Sequence, residues 1–140
     1  MSTREEAYQG GLEYFDGDEL AADVFLKYAL KSGSDFIETS PDQMHRRLAR
    51  EFARIESGYK NSMSEDEIYE LLEGFKYVIP QGSPMSGIGN DHKIQSLSNC
   101  FVIKAPYDSY AGILSTDQEQ VQIMKRRGGV GFDISTIRPK

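Results

Sequence analysis

The chain has 140 residues, with 16 Lys and Arg against 22 Asp and Glu, a formal charge of −6 and 39% hydrophobic content. That balance describes a globular chain long enough to bury a core and excludes a disordered one; the acidic excess argues against non-specific nucleic-acid binding, which needs surplus Lys and Arg to displace phosphate counterions, while a local basic pocket leaves anionic small ligands open. The single cysteine, Cys100, excludes an internal disulfide framework and a cysteine metal cluster; no apolar run has the length of a membrane span, the opening residues do not read as a secretory signal, and the cytoplasm is the default location.

Three helices are expected in the first half. The first begins at Asp18, whose carboxylate suits the N-cap, with Glu19 favourable in the first turn. Leu20, Ala21, Val24, Phe25, Tyr28 and Ala29 recur at helical spacing and predict its buried stripe, and Ser32-Gly33-Ser34 ends it. The second opens on Ser40-Pro41-Asp42-Gln43, with Ser40 as cap, Pro41 at the first helical position and Gln43 closing a capping box. Met44, Leu48, Phe52 and Ile55 form its apolar stripe, while Arg46, Arg47, Arg50 and Arg54 fall on other faces as a solvated surface paired with acids. The third opens on the capping box Ser64-Glu65-Asp66-Glu67 and turns Ile68, Leu71, Leu72 and Phe75 inward. The short connections predict one compact helical domain over residues 1–77.

The character then changes. Gly82, Pro84, Gly87 and Gly89, between Pro80 and Asn90, are expected to break any regular element. Cys100-Phe101-Val102-Ile103 is wholly apolar and partly β-branched, the pattern of a strand buried on both faces, and Pro106 stops it. Thr116-Asp117-Gln118-Glu119 predicts a further helix running to about Arg127, with Lys125, Arg126 and Arg127 at the negative end of its dipole and Gly128 as its C-cap. Val130 to Ile134 predicts the next strand, and strand, helix, strand is a βαβ unit. There is no internal repeat. The predicted fold class is α+β passing into α/β: a helical domain over 1–77, then the opening of a larger α/β domain over 78–140. Two strands and one helix leave sheet edges and a face uncovered.

The chemistry-bearing positions each admit a plain reading and a functional one. Gly128-Gly129-Val130-Gly131 is neither a Walker loop nor a dinucleotide fingerprint, because those glycines leave a strand and open a helix. Here they either end a helix and permit close backbone packing, or let Arg126, Arg127 and Arg138 surround an anion. Cys100, preceded by Ser98-Asn99, is either a small buried hydrophobe or a redox thiol. Asp108-Ser109 is either a capped turn or a carboxylate at a strand end that accepts ligand hydroxyls. His92 lies in a Gly- and Asp-rich loop and His45 has no ligand partner at helical spacing, so no metal site is predicted.

Taken in order, Gly17-Asp18-Glu19-Leu20-Ala21, Ser83-Pro84, Leu97-Ser98-Asn99-Cys100-Phe101-Val102, Asp108-Ser109, Arg127-Gly128-Gly129-Val130-Gly131-Phe132-Asp133 and Ile137-Arg138-Pro139 resemble the N-terminal part of the large, catalytic subunit of ribonucleotide reductase. The resemblance spans essentially the whole chain; each motif is weak alone and the order is specific. It implies a helical domain followed by the first strands and helix of a ten-stranded α/β barrel. The implied activity is reduction of ribonucleotides to 2′-deoxyribonucleotides by thiyl-radical chemistry, with allosteric control by nucleoside triphosphates. Cys100 matches the first member of the reductive cysteine pair, which suits a dithiol that delivers two electrons as it oxidises. Ser83 matches a residue that holds the substrate diphosphate. Asn99 stands beside the redox cysteine, where many relatives carry Ser or Ala, and Gly128 and Gly129 match small residues against which the nucleotide lies. Asp108 and Ser109 match the start of the effector site and Arg138 the arginine that grips effector phosphates. The helix from about Ser115 to Arg127 resembles the one that pairs across the family's homodimer.

The departures are as informative. The radical cysteine in its Asn-x-Cys-x-Glu context, the second redox cysteine, the groups that deliver the radical, the later phosphate loop and the regulatory ATP-cone are all absent from these 140 residues. The expectation is therefore a split, intein-interrupted or truncated gene product, inactive alone and completed by a C-terminal partner. The wording of Ile79-Pro80-Gln81-Gly82-Ser83-Pro84 and Asp117-Gln118-Glu119-Gln120 resembles adenosylcobalamin-dependent relatives more than those served by a radical-generating metallo-subunit. Either cofactor is expected to bind mainly outside this chain, with thioredoxin or glutaredoxin as the reductant and neither membrane nor nucleic acid as partner. The competing readings are a non-catalytic nucleotide-binding or dimerisation module and a structural helical adaptor.

Overall fold

The structure, a computed structural model, describes residues 2–126 and 128–139. The chain forms two compact units, Met1–Ile94 and Gln95–Lys140. Composition changes at 77/78, whereas the units divide at 94/95, because segment 78–94 packs with the helices.

The first unit opens with α1 (Arg4–Tyr14), a helix the stripe pattern does not flag. Thr3 and Glu6 cap it reciprocally: the Glu6 amide donates to Thr3 Oγ1, and the Thr3 amide donates to the Glu6 carboxylate at 2.7 Å. Gly10 and Gly11 sit inside it at a cost in helix propensity because neighbours come close. A Cβ on Gly10 would lie 2.0 Å from the Thr39 carbonyl oxygen, and one on Gly11 3.2 Å from Ala22 Cβ.

α2 (Glu19–Tyr28) is capped by Asp18, as expected, at 3.0 Å from the Ala21 amide. Its buried face is Ala22, Phe25 and Leu26, continued by Ala29, so the predicted stripe is rotated: Leu20 is 75% exposed and Val24 is exposed. The cause is α1, which packs on α2 and selects the inward face. Between α2 and the next helix, β1 (Lys31–Ser32) and β2 (Asp35–Phe36) form a small antiparallel hairpin around Gly33, whose φ is +62°.

α3 (Pro41–Glu56) starts at Ser40, but Gln43 reaches the Thr39 amide at 2.7 Å instead of closing a box on Ser40. Met44, Leu48 and Ala49 are buried with Phe25, Phe36, Ile68 and Leu72 in the core. Phe52 and Ile55, predicted inward, are exposed. Phe52 instead lines an open apolar groove of about 200 Å³ with Met63, Leu71 and Val78. α4 (Glu65–Leu72) carries the predicted Ser64/Glu67 box in full. A single tight turn, Glu73–Phe75, follows, with the Gly74 amide donating to the Tyr14 hydroxyl at 3.0 Å.

Two further expectations fail in this unit for reasons of packing. The segment Pro80–Asn90 was expected to be irregular, yet it forms α5 (Gly82–Gly87), seated on α2. Arg46, Arg50 and Arg54 form surface ion pairs with Asp66, Glu65 and Glu51, but Arg47 is buried and meets the Glu38 carboxylate at 2.6 Å.

His45 is fully buried, and neither ring nitrogen has a hydrogen-bond partner. Its imidazole sits edge-on to Phe75, with ring centroids 4.5 Å apart, and near Tyr14 at 6.3 Å. Burial pushes its pKa below the ordinary 6.5, outweighing the carboxylates of Asp42, Glu38 and Glu73, which favour the charged form. The unfolded chain therefore takes up this proton first, so stability is complete above about pH 6.5 and falls as pH drops toward the lower folded value. Thermal melting between pH 7.5 and 5 should show that loss for the wild type and a flatter profile for His45→Leu; identical slopes would remove His45 as the cause.

In the second unit, β3 (Cys100–Val102) and β4 (Gly129–Gly131) pair in parallel, joined by α6 (Tyr110–Met124). The βαβ unit is as expected; its boundaries are not. α6 begins at Ser109, whose Oγ accepts from the Gly112 amide at 3.0 Å, so Thr116 is a buried residue inside the helix and not its start. The tight contact of Gly112 with Tyr107, where a Cβ would lie 2.5 Å from the carbonyl oxygen, brings the chain into the helix earlier. β4 ends at Gly131 because Asp133 turns back to bind the Ser135 amide and hydroxyl, both at 2.8 Å. β3 is not buried on both faces: Val102 is 92% exposed and Cys100 is exposed. Two strands with one helix cover a single face, and the other is open. Arg127, assigned above to the helix end and to an anion site, lies outside the described residues.

Candidate functional site

Alternation along a strand puts Cys100 and Val102 on one face of β3 and Phe101 on the other. The Phe101 face packs toward α6. Gly128 is needed there, since a Cβ would lie 2.5 Å from Ile123 Cγ2 and 2.8 Å from Phe101 Cε2. The parallel register sets Cys100 beside Gly129 and Val102 beside Gly131. Neither glycine carries a side chain, so the thiol stands beside bare backbone. A Cβ on Gly129 would lie 3.6 Å from Cys100 Sγ and 3.3 Å from the Asn99 carbonyl oxygen. That carbonyl accepts the Gly129 amide at 2.6 Å, which ties the Asn99-Cys100 step to the glycine strand. Four of the sequence-assigned residues, Asn99, Cys100, Gly128 and Gly129, thus meet at one end of the strand pair. A ligand can lie flat on this open surface and reach the sulfur.

A second cluster lies beyond the two strands. Arg138 Nε is 3.4 Å from Asp108 Oδ2, with the arginine side chain 82% exposed. The carboxylate and guanidinium assigned to one ligand are therefore neighbours, loosely paired in solvent. Ser109 has a local task as the N-cap of α6. Thr136 Oγ1 donates to the Pro106 carbonyl at 3.0 Å and fastens the segment before Arg138 to the one before Asp108. Sequence reasoning missed Lys104, whose ammonium donates to the Tyr107 hydroxyl at 2.6 Å and holds that phenol below its usual pKa. The i, i+3 spacing of Lys and Tyr at the strand exit was the available signal. Hydrogen bonds from Ser135 hold the Asp133 carboxyl below the usual range.

Ser83 belongs to the first unit, where it is buried on α5. Among the described residues no group of three or more His, Cys, Asp or Glu side chains could hold a metal ion, and no helix is long and apolar enough to cross a membrane.

These features define a βαβ unit of the α/β class with a thiol on its bare face. Residues 98–140 match the family model described as ribonucleotide reductase, barrel domain. The match covers less than a third of the chain, and over that segment it bears out the resemblance drawn from the motifs. No curated protein matches the chain.

Proposed function

We propose that the chain is the N-terminal part of a ribonucleotide reductase catalytic subunit, which converts ribonucleotides to 2′-deoxyribonucleotides and supplies Cys100 as one of two reductive thiols. One observation carries this: within the segment that matches the family, Cys100 stands on an open strand face beside Gly129, where the neighbouring strand offers backbone and no side chain. The overall step balances as two thiols plus ribonucleotide giving one disulfide, deoxyribonucleotide and water: the ribose 2′-hydroxyl leaves as water, and the thiols lose two electrons and two protons. The second thiol, and the thiyl radical that takes the ribose 3′-hydrogen and returns it, come from polypeptide that completes the sheet as a ten-stranded barrel. Adenosylcobalamin or a metallo-subunit would supply that radical; no residue described here is assigned to hold either. A thioredoxin- or glutaredoxin-type dithiol would reset the pair by exchange. Asn99, Gly128 and Gly129 would border the sugar; Ser83, in the first unit, is assigned to the substrate diphosphate by the resemblance alone. Among the described residues the sheet has only two strands, so the outer edges of β3 and β4 lack a neighbouring strand, which supports completion by further strands. Mixing the chain with that polypeptide and assaying deoxyribonucleotide formation tests the proposal; a folded complex that forms none refutes it.

The effector reading has its own support. An incoming nucleoside triphosphate gives Asp108 a ribose hydroxyl and Arg138 a phosphate, replacing a solvent-exposed pair worth only about 0–1 kcal/mol. Tyr110, Leu114, Val121 and Met124 are exposed along one side of α6, an apolar stripe suited to a second copy of the helix. The same cluster and stripe favour the alternative, a non-catalytic nucleotide-binding and dimerisation module. With dTTP as probe, the wild type should show a raised melting temperature and a shift toward dimer in sedimentation, and Arg138→Ala should lose both. Retention of both by the variant would remove Arg138 from the effector site.

A further inference from the structure

Every edge of the Arg47 guanidinium meets an oxygen. Nε donates to Glu38 Oε1 at 2.6 Å and Nη2 to Glu38 Oε2 at 3.1 Å. Nη2 also donates to the Met85 carbonyl at 2.8 Å, and Nη1 donates to the Ile88 carbonyl. Glu38 is itself fixed, since its Oε2 accepts the Leu30 amide at 2.8 Å. A carboxylate ahead of α3 thus orients a cation on α3, and that cation gathers two carbonyls from the C-terminal end of α5.

α5 spans only Gly82–Gly87, far too short to hold itself in water. Its first residue is pressed on Tyr28, where a Cβ on Gly82 would lie 2.5 Å from Tyr28 Cε1. Its exit passes through Gly89 at φ +68°, against Arg47 Cγ, where a Cβ would lie 3.0 Å away. The segment is therefore seated at one end by an aromatic ring and at the other by Arg47. Breaking a buried pair leaves an uncompensated charge, so this arrangement is strongly all-or-none. Lysine cannot replace it, because one ammonium cannot span a carboxylate and two carbonyls in a plane.

We propose that Arg47, oriented by Glu38, is a positioning residue that fixes the Gln81–Asn90 segment and thereby sets the affinity of the Ser83 turn for the diphosphate of a ribonucleotide. This rests on the reading of Ser83 as a substrate contact. The test uses the full 140-residue chain as wild type, Arg47→Lys and Glu38→Gln. Amide hydrogen exchange is read across 82–90 and across α1, and ADP is titrated while the Ser83 amide resonance is followed. Arg47→Lys should speed exchange over 82–90 by about tenfold with α1 unchanged, and weaken the ADP response by about tenfold. Glu38→Gln keeps the shape and loses the charge; it should move both readouts the same way by a smaller factor, and it carries the test where Arg47→Lys does not fold. Unchanged exchange over 82–90, or an equal ADP response in variant and wild type, overturns the positioning role. A wild-type chain with no ADP response at Ser83 overturns the Ser83 reading and the positioning role together, and the wild-type titration alone identifies that case.

Discussion

Under the proposed function, Cys100→Ser should abolish repeated turnover of the chain joined to its proposed C-terminal partner, by about a thousandfold or more, while nucleotide binding stays within about twofold. The reasoning is redox balance. Removing the 2′-hydroxyl as water consumes two electrons, and a hydroxyl cannot form the disulfide that supplies them. Serine is nearly isosteric with cysteine, and β3 is exposed at this position, so the strand should keep its pairing with Gly129. The loss therefore reports chemistry and not folding. Steady-state deoxyribonucleotide formation with a dithiol reductant measures it, and wild-type turnover in the variant would take Cys100 out of the reductive pair.

Leu48→Ala should destabilise the helical unit by about 2–5 kcal/mol. Leu48 is fully buried at the centre of α3, in a core with Met44, Phe25, Ile68 and Leu72. Removing its branch leaves a void that helices fixed by caps on both sides cannot fully close. The change should lower the urea midpoint without altering the slope, since the surface exposed on unfolding is nearly the same. It should leave the proposed dTTP response of the second unit intact; a shift under about 1 kcal/mol would show that the core is looser than its burial implies.

What the sequence carried, and what it did not, follows from which forces are local. Asp18, Ser40 and Ser64 each cap a helix where the pattern puts them, because a cap is a contact between residues three apart. α1 was legible on the same terms: Thr3-Arg4-Glu5-Glu6 is another capping box, hidden by Gly10 and Gly11, whose reason is the distant carbonyl of Thr39. The inward face of α2 was not legible without α1. Thr116-Asp117-Gln118-Glu119 has capping-box spelling inside a helix that Ser109 had already started, which shows that the motif alone does not locate a boundary. Arg47 was assigned to the surface by its charge, and only the fold brings Glu38 and two carbonyls to it. At the candidate site, the apolar run at Cys100 correctly marked a strand, yet burial is a property of the whole sheet, and the face bearing the thiol is open here. The adjacency of Cys100 to Gly129 and of Asp108 to Arg138 could not be read from periodicity; the order of the motifs pointed to both.

The most direct test of the central claim is the fate of the Cys100 sulfur in a single turnover. The chain, joined by the C-terminal polypeptide proposed to complete its sheet, is reduced, freed of external thiol, supplied with ribonucleotide, then denatured and alkylated for peptide mass spectrometry. The account predicts one deoxyribonucleotide per chain with Cys100 protected from alkylation and linked to a cysteine of the partner polypeptide. Product formed while Cys100 is still freely alkylated would contradict it.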